Sequence, residues 1–351
     1  MYFVPTPVIP GSSAVIPGLT GNLSDYPEGI VLPVDKPYRW TSADVIRKLK
    51  FAAIKHFGKK NLKVGHAGTL DPLATGVLLV CIGDACKRAQ ELQNHDKEYI
   101  ARIRFGATTP SYDLEKEVDR TFPYEHITAD AVRAALPAFL GEQEQVAPLF
   151  SAKSVDGVRA YELARKLYRS GRFAELDSAA LDTLQRNRIV ISELEMLDFA
   201  TMGRDSLSGA CAPPEGLRGR CPRMTPAAFS PSTILSDGKI PGTAGRLMAP
   251  ITHALGGAGA ERSEAESPVR ESLPVSTASS RIHVADTSAL GLPEATIRIA
   301  CSKGTYIRAF ARDLGEALAS GAHLSGLIRS RSGDFRLSDA LSLDQALALL
   351  Q

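Results

Sequence analysis

Residues 64–83 read VGHAGTLDPLATGVLLVCIG, with a single acid, Asp71, fixed between Leu70 and Pro72. Gly65, Gly68 and Gly76 surround that acid, and a strand-like apolar run from Val77 to Ile82 follows it. Taken alone, an aspartate in a Gly/Pro loop reads as a turn former or helix cap, because its short carboxylate bonds to nearby backbone amides. Two sharper motifs are excluded. No Gly-Lys-Ser/Thr follows the glycines, so the loop is not a phosphate-cradling P-loop. The G-x-G-x-x-G of a dinucleotide fingerprint is missing as well. A hydrolase built on paired carboxylates needs a second acid. Asp113 and Glu115 are candidates, yet nothing in the sequence ties either to Asp71.

Upstream, residues 30–36 (IVLPVDK) read as a short strand entering a turn at Pro37. The next stretch, WTSADVIRKLKFAAIKHFGKKNLK, reads as a helix capped by Thr41 or Ser42. Its apolar positions Val45, Ile46, Leu49, Ala53 and Ile54 keep helical spacing. Arg47, Lys48, Lys50, Lys55, Lys59, Lys60 and Lys63 stand there against one acid, Asp44. A solvated helix face and a phosphate-contacting patch both fit that pattern.

Downstream, residues 97–106 alternate as a half-buried strand does, with Tyr99, Ala101, Ile103 and Phe105 on one face. Helices are expected over 128–140, with Pro137 kinking or ending the first, and over 157–169. Another follows Gly304, where Ile307, Phe310, Ala311, Leu314 and Leu318 recur at helical spacing. Strands at 188–199 and 295–301 flank residues 201–293, which are rich in Ser, Gly, Ala and Pro and hold one aromatic residue, Phe229. Such thin apolar patterning does not offset ordering entropy, so a disordered insertion is expected between two strands that pair. Loop-closure entropy grows slowly with length and tolerates it. The expected organisation is a tail over 1–28, one domain in two parts at 29–200 and 294–351, and the insertion over 201–293.

The 351 residues are 44% hydrophobic and 23% charged, an ordinary profile with enough chain for a large core. No apolar run approaches the roughly 18 residues of a membrane span. The net charge of +2 marks no polyanion binder by itself, so local charge matters more. The five cysteines form no C-x-x-C pair and the seven histidines show no ligand spacing, so no metal is expected. Cys81 and Cys301 sit in strand-like runs, where buried reduced thiols and a cytoplasmic location fit. No Lys or Arg precedes Lys36, which argues against a secretory signal or transit peptide.

Three further segments are dense in Gly, Tyr and Arg: CSKGTYIR at 301–308, PLFSAKSVDGVRAYELAR at 148–165, and GAHLSGLIRSRSGDF at 321–335. Basic residues interleaved with aromatics suit RNA backbone contacts and base stacking. In chain order, LPVDKP with WTS, GHAGTLDPLATGVLLVCIG, DKEYIARIRFG, SAKSVDGVRAYELAR, CSKGTYIRAFARDLG and GAHLSGLIRSRSGDF closely resemble the motifs of the TruB family of tRNA pseudouridine synthases. The match covers about residues 30–199 and 294–341.

The resemblance implies an α/β (α+β) pseudouridine-synthase core: a mixed, mostly antiparallel sheet flanked by helices, with a central RNA-binding cleft. It implies isomerisation of uridine 55 in the T-arm of tRNA. That reaction needs neither a redox partner nor a group donor, hence no cofactor. Asp71 matches the catalytic aspartate, Arg308 the arginine that pairs with it and keeps it ionised and aimed. Tyr99 matches the tyrosine that stacks on the target uracil, a candidate proton acceptor at C5. Tyr306 and Leu327 match residues of the base pocket, and His66 a histidine used around nucleotide flipping. Lys36, beside Asp35, matches a motif of more architectural character. With Arg329 it completes the expected RNA-binding set.

Where relatives commonly carry Leu-Arg-Arg, this chain has Leu327-Ile328-Arg329. It stops soon after the last motif, so the C-terminal PUA-type domain of many members is expected to be absent. The expected partner is tRNA alone, bound by a monomer. A catalytic subunit of guide-RNA particles is the near rival, although such subunits typically carry Lys-Val where Leu73-Ala74 stands here. A non-catalytic tRNA-binding or tRNA-folding protein is the rival from another class.

Overall fold

The apolar run after Asp71 is a strand buried on both faces. Leu78, Val80 and Ile82 enter one hydrophobic cluster, while Val77, Leu79 and Cys81 enter a second across the sheet. A strand covered on both sides has no polar face to alternate with, which explains its unbroken apolar sequence. The structure, a computed structural model, describes residues 19–148, 150, 154–155, 158–159, 170, 186–201 and 282–351.

In chain order the strands are β1 (Ile30–Lys36), β2 (Val64–His66), β3 (Ala74–Ile82), β4 (Lys97–Phe105), β5 (Ala107–Thr108), β6 (Arg120–Thr121) and β7 (Gly141–Val146). They continue as β8 (Ser154–Val155), β9 (Val158–Arg159), β10 (Arg186–Ala200), β11 (Glu294–Cys301), β12 (Ala322–Ser332), β13 (Phe335–Arg336) and β14 (Leu341–Ser342). The helices are α1 (Ser42–Phe57), α2 (Ala89–Asn94), α3 (Ala129–Ala135), α4 (Ile307–Ala317) and α5 (Leu343–Ala348). The main sheet runs β14-β1-β3-β12-β4-β11-β10-β7, with β2 added to β3 and β13 to β12. Only β14–β1 and β3–β12 are parallel; the other pairings are antiparallel. The fold is therefore the mixed, mostly antiparallel sheet with helices that the motifs imply.

Two register relations position the chemistry. β12 lies between β3 and β4, setting Leu327 opposite Ala74 and Ala101, and Arg329 opposite Gly76 and Tyr99. β10 and β11 pair antiparallel although the stretch from 201 to 293 separates them. Helix α1 begins at Thr41, whose side chain accepts from the Asp44 amide while the Asp44 carboxylate accepts from the Thr41 amide, a complete capping box. Its buried face is Val45, Leu49 and Ala53. Helix α4 buries Ile307, Phe310, Ala311 and Leu314.

Some sequence expectations change. Val158–Arg159 is a strand that pairs with Ser154–Val155, so the start of the helix expected over 157–169 is extended; the rest lies outside the described residues. Of the insertion expected over 201–293, residues 202–281 lie outside the described residues. Residues 282–293, however, pack on the body: Ala285, Thr287 and Leu292 are buried, and the Ala285 amide donates to the Leu114 carbonyl at 2.8 Å. Residues 19–28 likewise begin with a buried Leu19 and a 3-10 turn over Leu23–Asp25. Cys81 and Cys301 are buried free thiols. No helix among the described residues is long and apolar enough to cross a membrane.

Candidate active site

The loop from Ala67 to Leu73 enters β3 carrying Asp71 and is held from several sides. Ser42 Oγ accepts from the Leu70 amide at 2.9 Å and donates to the Leu70 carbonyl at 3.1 Å. The Arg39 amide donates to the Pro72 carbonyl at 3.0 Å, and the Ala74 amide to the Asp71 carbonyl at 3.1 Å. Lys36 is fully buried; its ammonium donates to the carbonyls of Trp40, Pro37 and Pro72 at 2.6, 3.1 and 3.2 Å. Burial pushes that ammonium down to about 7, opposed by the charges of Asp71 and Asp35. Asp35 Oδ1 accepts from the Gly76 amide at 3.0 Å. Gly76 adopts φ +100°, and a Cβ there would lie 2.3 Å from the Arg329 carbonyl oxygen. Only glycine lets β12 approach so closely.

From the far side of the sequence, the first turn of α4 delivers Arg308. Its Nε donates to Asp71 Oδ2 at 2.9 Å and its Nη2 to Asp71 Oδ1 at 3.2 Å, a two-pronged grip on the carboxylate. The guanidinium is itself fixed: Nη1 donates to the Ser111 carbonyl at 3.0 Å and Nη2 to the Phe150 carbonyl at 2.9 Å. The pair is asymmetric in exposure, with the Arg308 side chain 6% exposed and that of Asp71 38%. The arginine is therefore the buried anchor and the aspartate the face presented to solvent. Burial alone would lower the Arg308 pKa, but Asp71, Asp113 and Glu115 outweigh it, so the guanidinium stays charged.

Asp71 and Arg308 open onto a shallow cleft, lined also by Tyr38, Leu73, Asp113, Leu324 and Leu327. Asp113 reaches 3.6 Å from Arg308 Nε. Its Oδ1 accepts from Ser111 Oγ at 2.6 Å and from the Glu115 amide at 2.9 Å. Burial raises the Asp113 pKa. It also pushes Glu115 up to about 7, with the Asp113 charge adding to the effect. One arginine thus stands against three acids of unequal exposure. The outermost is free to meet a ligand, while Asp113 is engaged by its own hydrogen bonds.

The remaining expected site residues divide. Leu327 lines the cleft with Asp71. Tyr99 is buried in the main core cluster, opposite Arg329 in the β4–β12 register. Tyr306 caps α4 just before Arg308; its amide donates to Gln145 Oε1 at 2.8 Å. His66, on β2, is half-buried, and its buried Nδ1 has no hydrogen-bond partner among the described residues. Burial and the Arg329 charge lower its pKa. Arg329 is almost wholly buried and donates to the carbonyls of Val77, Gly68 and Thr69 at 2.7, 3.3 and 3.4 Å. Lys36 and Arg329, placed in the expected RNA-binding set, are buried and brace the two ends of the Asp71 loop, which suits the architectural character of the Lys36 motif. Asp113 and the carbonyls of Ser111 and Phe150 are site groups that the motifs do not single out. Asp113 appears in the sequence only as a second acid of unknown partner.

Comparisons with known proteins identify the family. The family model described as TruB family pseudouridylate synthase (N terminal domain) matches residues 55–200. The chain is 40% identical over 320 residues to the tRNA pseudouridine synthase B of Phocaeicola vulgatus, covering 91% of this chain and 92% of the relative. It is 33% identical over 320 residues to the protein of the same name from Flavobacterium johnsoniae, covering 91% and 95%. A chain of a solved Cbf5-Nop10-Gar1 complex superposes with a TM-score of 0.47 at 18% identity, over 97% of this chain and 61% of that one. With such relatives matched along nearly their whole length, the chain belongs to the TruB family of pseudouridylate synthases.

Proposed function

We propose that this protein is a tRNA pseudouridine synthase that isomerises uridine 55 in the T-arm, with Asp71 as its catalytic carboxylate. The single observation that carries the reading is the Asp71 carboxylate, gripped by buried Arg308 at 2.9 and 3.2 Å yet open to the cleft. The reaction breaks the C1′–N1 bond, turns the freed uracil and forms a C1′–C5 bond. The C5 proton leaves and N1 gains one, so substrate and product are isomers. Inside a folded RNA the base is out of reach, and extruding it costs roughly a few kcal/mol. Asp71 serves by attacking the sugar or base, or by assisting proton removal from the ribose; all three need an ionised, immobile carboxylate. Arg308 supplies the immobility and sets a fixed positive charge against the carboxylate.

Leu327 and Leu73 give the cleft apolar wall against which a flipped pyrimidine would rest. Tyr99 contributes from the strand below, and becomes a contact to the base if binding opens the floor of the cleft. Tyr306, two positions before Arg308, and His66, on β2, are the further residues assigned to handling the flipped nucleotide. The protein acts on tRNA in the cytoplasm as a single chain without a guide RNA. The test is primer-extension mapping of pseudouridine on bulk tRNA from a strain deleted for this gene, with and without the gene restored. Loss of the signal at position 55 on deletion and its return on rescue are expected. An unchanged signal in the deletion strain would refute the substrate.

A further inference from the structure

Helix α1 carries a second feature that the cleft does not use. Its N-terminus is anchored at the Asp71 loop by the Ser42–Leu70 hydrogen bonds, and its 16 residues extend about 24 Å from there. Val45, Leu49 and Ala53 face the core, which turns Arg47, Lys50, Phe51 and Lys55 outward on the opposite side. Phe51 is 76% exposed, well beyond the other exposed large hydrophobic residues among those described. Arg47 and Lys55 are its neighbours one turn before and after, and Lys48 sits over the Trp40 ring at 5.4 Å.

A merely solvated face is normally laced with opposite charges at three- and four-residue spacing, because like charges there repel. Here one acid, Asp44, serves the whole helix and pairs with Arg47 at 2.9 Å. Lys50 and Lys55, like Lys59, Lys60 and Lys63 beyond the helix, make no ion pair among the described residues. A cationic stripe compensated at Arg47 alone, around an exposed ring, has the composition of a surface for nucleic acid: cations for phosphates, an aromatic face for a base or ribose. A protein partner of matching chemistry would have to be strongly acidic, whereas an RNA bound in the adjacent cleft brings its phosphates at no further requirement.

We infer that the outer face of α1 is an RNA-docking stripe, where Arg47, Lys50 and Lys55 contact the phosphodiester backbone and Phe51 stacks on an unpaired base or ribose. It holds tRNA at a distance from the reacting uridine. This inference rests on the proposed tRNA activity and extends it to the RNA outside the cleft.

The test compares wild type with the triple variant Arg47→Gln/Lys50→Gln/Lys55→Gln and with Phe51→Ala, after circular dichroism confirms native folding. Dissociation constants for an unmodified tRNA transcript are measured from 50 to 300 mM KCl, together with single-turnover pseudouridine formation at saturating protein. The triple variant should bind about ten-fold more weakly at low salt, and its log–log salt slope should be shallower by about 2 to 3. Phe51→Ala should bind at least about five-fold more weakly with an unchanged slope. Both should keep the wild-type rate at saturation. Wild-type affinity and slope in the triple variant would overturn the inference and assign the stripe to solvent or to an acidic protein. If wild type itself forms no pseudouridine, the activity fails instead, and the salt slopes still report on the stripe.

Discussion

At the scale of single residues, the site is an arginine shared among acids. Arg308 holds Asp71 by two prongs while its other nitrogen and its edge bind fixed carbonyls. A lysine cannot reproduce that fork. Arg308→Lys is expected to lower the single-turnover rate about a hundred-fold while leaving tRNA affinity within a few-fold; a wild-type rate would show that the grip on Asp71 is not needed. Arg308→Ala should also lose about 3 kcal/mol of stability in urea unfolding, because Asp113 would be left buried without its cation.

Glu115 gives a pH signature at the same scale. Its ordinary value is 4.5 and in the fold it stands at about 7. Between those values the folded state binds more protons than the unfolded one, so stability falls as pH rises, and the penalty is complete above about 7. Glu115→Gln should therefore stabilise the protein by on the order of 2 kcal/mol at pH 8 and by little at pH 4, read from urea midpoints. An equal shift at both pH values would contradict the burial account. Of these residues, Asp71 and Arg308 were legible only through the family motifs, since 237 positions separate them. The motif marked Lys36 as architectural without showing what it braces, and Arg329 was legible only as a basic residue. Sequence shows a charge, whereas carbonyls converging on it arise only when distant segments meet.

At the scale of elements, the critical junction is the parallel pairing of β3 with β12. Gly76 sits opposite Arg329 at φ +100°, with no room for a side chain against the Arg329 backbone. Gly76→Ala must strain the backbone and part the strands. A loss of about 2 to 4 kcal/mol is expected from denaturant unfolding, with activity falling further than stability because the Asp71 loop rides on that junction. A loss under about 1 kcal/mol would mean that β12 yields easily. The glycine was visible in the motif, but its reason was not, because the neighbour comes from some 250 residues downstream. Local elements were more readable. The Thr41 cap, the buried face of α1 and the alternation of β4 follow from short-range periodicity and matched the structure.

At the scale of the whole molecule, the described residues build one ten-stranded main sheet beside two small two-stranded ones, and the Asp71 loop leads into β3 where β12 joins it to β4. The antiparallel pairing of β10 with β11, expected from two strand-like segments around residues 201–293, holds across a long sequence gap. Where that expectation fell short was at the edge: the apolar positions of residues 282–293 follow no regular period, yet Ala285 and Leu292 are buried and the segment is held by specific hydrogen bonds, as from Arg39 Nη2 to the Ile282 carbonyl at 2.6 Å. Such bonds leave no periodic trace in a sequence. The proposed role of Asp71, a carboxylate held immobile by Arg308 yet reachable from solvent, has a direct measurement. Asp71→Asn removes the charge with almost no change of shape. Single-turnover assays on an unmodified tRNA transcript should show affinity within a few-fold of wild type and pseudouridine at position 55 reduced at least about a thousand-fold. Pseudouridine formed by Asp71→Asn at a rate near that of wild type would contradict the account.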